Sequence, residues 1–144
     1  MTMTDSAVRG RFAELVKLHL QGRRFLDREQ ETKLLEDAVT RYSLSLEEAQ
    51  ATIRTSAEAL GVVLARELDR PTVQLLKTLG DRQGRVARDD FRKVVAFYRA
   101  RTGAALTEAD GQKRVKRLME ENEIAPRRQG RIVPTRRWYR AIEA

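Results

Sequence analysis

Apolar residues recur along most of the chain at spacings of three and four, the mark of helices that bury one face. Val8, Phe12, Leu15 and His19 predict a first helix from Ser6 to Gln21, with Thr4 to Ser6 available as caps and Gly22 as its stop. Asp27 and Gln30 resemble a capping box, and Leu34, Leu35, Ala38, Val39 and Tyr42 then predict a second helix from Arg28 to Tyr42. Ser45 and Glu48 make a clearer box, in which each residue satisfies the other's amide. Leu46, Ala49, Ile53, Ala57, Leu60 and Leu64 follow it and predict a third helix starting at Leu46.

Pro71 suits the first turn of a fourth helix that carries Leu75, Leu76 and Leu79 and stops at Gly80. Phe91, Val94, Val95 and Tyr98 predict a fifth, favoured at its start by Asp89 and Asp90 and ending near Thr102-Gly103. Thr107 to Asp110 cap a sixth that reaches Glu121 with Val115, Leu118 and Met119 inward, although Gly111 weakens its first turn.

Beyond it the pattern changes. Two short apolar runs, Ile124-Ala125-Pro126 and Ile132-Val133-Pro134, flank a basic turn with Gly130, which predicts a β-hairpin over 124–133. A last helical segment, Thr135 to Glu143, turns Trp138, Tyr139 and Ile142 inward. The expected fold class is mainly α: a compact multi-helix domain with at least five helices and one short β-hairpin near the C-terminus. Two modules, 1–68 and a basic 69–144, are expected to pack as one domain or to stand as two.

Composition narrows the classes. Of 144 residues, 41% are hydrophobic and 35% charged, enough to bury a core and coat it with charge. No uncharged run approaches the roughly 20 residues of a bilayer span. The N-terminal MTMTDSAVRGRF lacks the layout of a secretory signal, so a cytoplasmic location is expected. With no cysteine in the chain, disulfides, thiolate metal sites and cysteine nucleophiles are excluded.

Charge is uneven. Residues 1–70 carry 11 Lys/Arg against 12 Asp/Glu, whereas 71–144 carry 18 against 9, so the halves have net values of −1 and +9. The basic half suits an anionic partner, with nucleic acid leading and DNA favoured, and an acidic protein surface behind it. A solvated surface that keeps the chain soluble is the plainer reading of the same residues.

Residues 113–140 carry a helix, KRVKRLMEENEI, followed by a basic-tipped segment, APRRQGRIVP. In that order they resemble the second half of a winged-helix domain. The resemblance implies a recognition helix bearing Lys113, Arg114, Lys116 and Arg117 and a wing bearing Arg127, Arg128 and Arg131. Trp138 and Tyr139 stand among Arg136, Arg137 and Arg140, a mixture that suits either stacking on single strands or the anchoring of a terminal helix.

The run LGDRQGRVARDDF resembles a degenerate EF-hand loop, and Gln129-Gly130-Arg131-Ile132 echoes its centre. The ligand positions of a calcium loop fall on Leu79, Asp81, Gln83 and Asp90, and in the echo on Ala125, Arg127, Gln129 and Arg136, so no tight calcium site is expected.

His19, alone of its kind, is expected on the apolar side of the first helix. Glu47-Glu48, Asp89-Asp90 and Glu120-Glu121 are neighbours that point apart on a helix. With no GxSxG, HExxH or phosphate-binding glycine loop, the chain is expected to be a non-enzymatic binding protein with no cofactor or metal. One alternative is an interaction adaptor built on degenerate EF-hand-like units. In either case the N-terminal helices are the candidate surface for self-association.

Overall fold

The computed structural model describes residues 5–130 and 133–142. Among them are seven helices: α1 (Asp5–Leu20), α2 (Arg28–Arg41), α3 (Leu46–Leu60), α4 (Ala65–Leu79), α5 (Arg88–Arg101), α6 (Glu108–Glu121) and α7 (Arg137–Arg140). Two short strands, β1 (Phe25–Leu26) and β2 (Val63–Leu64), pair in parallel, Phe25 with Val63 and Leu26 with Leu64. The fold is mainly helical. No helix of the described residues is long and apolar enough to cross a membrane. The chain divides into two compact units, Met1–Arg66 and Glu67–Ala144.

In the first unit, local chemistry sets the helix starts. The Asp27 side chain accepts the Gln30 amide at 2.8 Å while the Gln30 side chain accepts the Asp27 amide at 3.1 Å, closing a capping box on α2. The Ser45 hydroxyl accepts the Glu48 amide at 3.1 Å and starts α3. At the other end of α3, Gly61 takes a left-handed φ of 69°, which lets its own N–H and that of Val62 turn back to Glu58 and Ala57. Val62 thereby enters the core, and the chain runs directly into β2.

That core gathers Phe12, Val16 and Leu20 of α1, Leu34 and Ala38 of α2 and Ala49, Ile53 and Ala57 of α3 around Leu26 and Leu64 of the strands. The inward stripe of α1 therefore steps by fours, and His19 and Leu18 are exposed instead of lying on its apolar side. Glu31 is buried in the first turn of α2 and meets Arg66 Nε at 3.2 Å, which gives a charge held away from water its counter-charge.

Helix α4 departs from expectation at its start. Pro71 lies inside the helix, not in its first turn, because β2 leads straight into Ala65. Leu68, Thr72 and Leu76 are buried one turn apart, and the Thr72 hydroxyl donates to the Leu68 carbonyl at 2.7 Å. Burial of that stripe outweighs the proline's missing amide.

In the second unit, α5 and α6 pack closely. Gly111 is buried at their crossing, where a Cβ would stand 2.9 Å from Arg99 Cγ and 3.2 Å from Val95 Cγ1. The glycine that weakens the first turn of α6 is what lets the helices meet. Thr107 caps that turn by accepting the Asp110 amide at 3.1 Å, and Phe91, Val94, Val95, Tyr98, Val115, Leu118 and Met119 fill the interior.

Among the described residues the hairpin expected over 124–133 is not found. Ile124 follows α6 into an isolated parallel bridge in which Val86 donates to Ala125 at 3.0 Å and accepts from Arg127 at 2.7 Å, placing Pro126 opposite Val86 where no proline donor is needed. Gln129 bridges antiparallel to Thr135, and Arg131 and Ile132 lie outside the described residues. The apolar run Ile124-Ala125-Pro126 pairs across to a second loop, at the fully buried Val86. Among the described residues the last helical segment is the four residues of α7, and Glu143, its expected end, lies outside them.

Candidate nucleic-acid interface

Charge separates with the units. Met1–Arg66 contains 10 Lys/Arg against 10 Asp/Glu, and Glu67–Ala144 contains 19 against 11, so the formal charge of +8 belongs entirely to the second unit. Three basic segments of that unit matter: α6, the Arg127-Arg128 turn and the C-terminal segment around α7.

With Val115, Leu118 and Met119 turned inward, Lys113 and Arg117 fall on the opposite face of α6 and Arg114 on its flank. The same stripe carries Asp110 and Glu121, at spacings of three and four from those cations. Arg117 Nε meets Glu121 Oε1 at 3.0 Å. Such an exposed pair is worth only about 0.3–0.5 kcal/mol. Lys113 and Arg114 are half-buried, and each already makes an interaction within the fold.

Lys116 lies on another side of the helix. Its Nζ donates to the Ile142 carbonyl at 2.7 Å and stands 4.9 Å from the Tyr139 ring centroid. The Tyr139 hydroxyl donates to the Lys116 carbonyl at 3.4 Å, and burial, helped by the nearby Glu120 charge, pushes its pKa up to about 12. Lys116 therefore holds the C-terminal segment against α6.

Arg127 and Arg128 are both exposed at the turn. The backbone of Arg127 is fixed on two sides, by its amide to Val86 and by its carbonyl, which accepts Trp138 Nε1 at 3.0 Å. Trp138 packs on Phe91 at 5.4 Å and edge-on to Tyr139 at 5.7 Å. These contacts tie α7 to the Arg127 turn through Trp138, and the side chains of Arg137 and Arg140 on that helix are exposed. Arg136 is half-buried, with a buried Nε that has no hydrogen-bond partner. Arg131 lies outside the described residues.

The acidic members of the α6 stripe are visible in the spacing of Asp110, Arg114, Arg117 and Glu121. The outward role expected of Lys116 is not what the fold gives it, since nothing local signals a contact with a carbonyl 26 residues away.

The EF-hand-like loop is occupied by its own cation. Asp81 accepts the amides of Gln83 and Arg85, each at 2.9 Å, and meets Arg85 Nε at 3.3 Å. Those contacts, the Arg85 amide first, hold its carboxyl below the usual range. Among the described residues, no group of three or more His, Cys, Asp or Glu is placed to hold a metal ion.

The first unit has a surface groove of about 690 Å³ between α1 and α3, lined by small residues such as Gly10, Ala13, Ala51 and Ala59. Arg9 Nε meets Glu48 Oε2 at 2.7 Å at its rim, so opposite charges neutralise each other there. Compared with family models, curated proteins and solved structures, the chain matches none of them.

Proposed function

We propose that the protein is a non-enzymatic binding protein that holds nucleic acid by its phosphates through the second unit. The observation that carries this reading is the convergence of charge: the unit with all the net charge has Arg127, Arg128, Arg137 and Arg140 exposed on segments tied together through Trp138. Lys113, Arg114 and Arg117 on α6 extend the basic surface. Lys116, committed to the Ile142 carbonyl and the Tyr139 ring, serves to position it. The winged-helix resemblance of 113–140 supports the reading through its order of helix and basic turn, with the turn stabilised by Val86 in place of a hairpin partner.

Phosphate contacts release condensed counterions, so affinity should fall steeply with salt. If about four phosphates are neutralised, log affinity for duplex DNA should fall against log salt with a slope on the order of −3.6. Replacing Arg127 and Arg128 by alanine should flatten that slope by about 1.8 and weaken all sequences alike. Absence of binding to any nucleic acid at about 50 mM salt would falsify the proposal.

A second reading has its own support: a loop already filled by Arg85 suits a fixed scaffold for an acidic protein partner better than a metal-responsive switch. Binding to acidic proteins but not to nucleic acid would favour it.

A further inference from the structure

We infer that the phosphate-binding surface takes double-stranded nucleic acid in preference to single strands, a conclusion that rests on the nucleic-acid reading above. Single strands are held tightly when unpaired bases stack on aromatic side chains beside a basic groove. Each stacked base strengthens binding by roughly 5- to 150-fold. The question is whether this protein has a ring to offer.

It has four phenylalanines, three tyrosines and one tryptophan, all of them within the described residues. Phe12, Phe25, Phe91 and Tyr98 are buried. Tyr42 packs on Phe12 at 5.5 Å, and Arg101 stands over the half-buried Phe97 at 5.0 Å. The two rings nearest the basic segments are the most heavily committed. Trp138 is held by Phe91, Tyr139 and the Arg127 carbonyl, and Tyr139 by Trp138, the Lys116 ammonium and the Lys116 carbonyl.

Each of these rings is therefore buried or already in contact with another group, and exposing Trp138 would break the contact that fixes the Arg127 turn. What remains for a ligand is charge alone. Charge alone favours the duplex, which carries a phosphate per about 1.7 Å of axis and releases more counterions per contact, about 0.9 against 0.7 for a single strand. The shared chemistry is a paired phosphate backbone, of DNA or of RNA.

The test is a titration of the full chain against duplex DNA, duplex RNA and the corresponding single strands, each of about 20 nucleotides, at about 50 mM salt, with Trp138 emission recorded alongside. At least one duplex should bind about ten-fold tighter than its single strand, and Trp138 emission should stay unchanged. Whichever duplex binds more tightly identifies the source of the backbone. A single strand bound as tightly as the duplexes, or one that quenches Trp138, overturns the inference while leaving nucleic-acid binding intact. Absence of binding to all four overturns the nucleic-acid reading, and the duplex preference with it.

Discussion

Both units set two inter-helix loops side by side and join them by parallel backbone pairing, yet they surround that joint differently. In the first unit, Phe25-Leu26 and Val63-Leu64 form a two-residue ladder whose Phe25, Leu26 and Leu64 are buried in the core. In the second, the joint is the single bridge of Val86 and Pro126, and the chain leaves it at once for the exposed Arg127 and Arg128. One joint ends in the core and the other beside a charged turn. Since Met1–Arg66 has no net formal charge and Glu67–Ala144 carries +8, the contrast extends beyond the loops. Similar local pairing can thus seal a core or present cations, depending on the residues next to it in the chain.

The largest effect is expected from the core of the first unit. Ile53 is fully buried, so Ile53→Ala removes apolar contacts and leaves a cavity, at a cost of about 2–5 kcal/mol. Denaturant unfolding followed by ellipticity checks this. Under conditions where the variant is still folded, its salt-dependent binding should match that of the parent chain. A changed salt slope would break the assignment of charge chemistry to the second unit.

The same substitution in the two units should have opposite signs. Gly10 lies inside α1 with nothing within 4 Å of the position a Cβ would take, so Gly10→Ala should stabilise by about 0.5–1 kcal/mol through helix propensity. Gly111→Ala gains the same propensity but drives a methyl against Arg99 and Val95, and Arg99 is anchored by Nε to the Leu106 carbonyl at 3.1 Å. A net loss of about 1–2 kcal/mol is expected there. Equal shifts in the two thermal melts would show that the crossing of α5 and α6 relaxes freely.

The helices were legible where their start signals are local. Asp27 with Gln30, Ser45 with Glu48 and Thr107 with Asp110 act within one turn, and α2, α3 and α6 begin where they indicate. The start of α4 was not, because Pro71 looks like a first-turn residue until β2 is seen to deliver the chain to Ala65. Nor was the sheet, which joins residues far apart in sequence through strands too short to show an alternating pattern. His19 was misplaced because a stripe through Leu15 differs by only part of a turn from the one that runs through Val16 and Leu20. At the candidate site, the cations were visible as charge. Their commitments were not: neither Lys116 reaching Ile142 nor Trp138 holding the Arg127 turn has a sequence signature.

The smallest effects concern pH and distinguish the units by the limb on which they appear. Glu48 in the first unit is held below its usual 4.5 by the Ser45 hydroxyl and by Arg9, and Asp81 in the second is held below 3.8 chiefly by the Arg85 amide. Carboxyls lowered in the folded state contribute stability that is present above those ordinary values and lost as the pH falls through the lowered ones, so both units should weaken in acid. Tyr139 acts in the opposite sense and belongs to the second unit. Burial raises it from 10.0 to about 12, so the unfolded chain releases this proton first, and the associated stability, intact below 10.0, is lost as the pH climbs towards about 12. The chain's single tryptophan, Trp138, lies 5.7 Å from that ring and reports the change directly. Denaturant midpoints read from Trp138 should drop across this alkaline window in the parent chain. In Tyr139→Phe, which gives up the hydroxyl's 3.4 Å bond to the Lys116 carbonyl and its interaction with Glu120, they should drop less. An identical alkaline loss in both proteins would assign it to other groups.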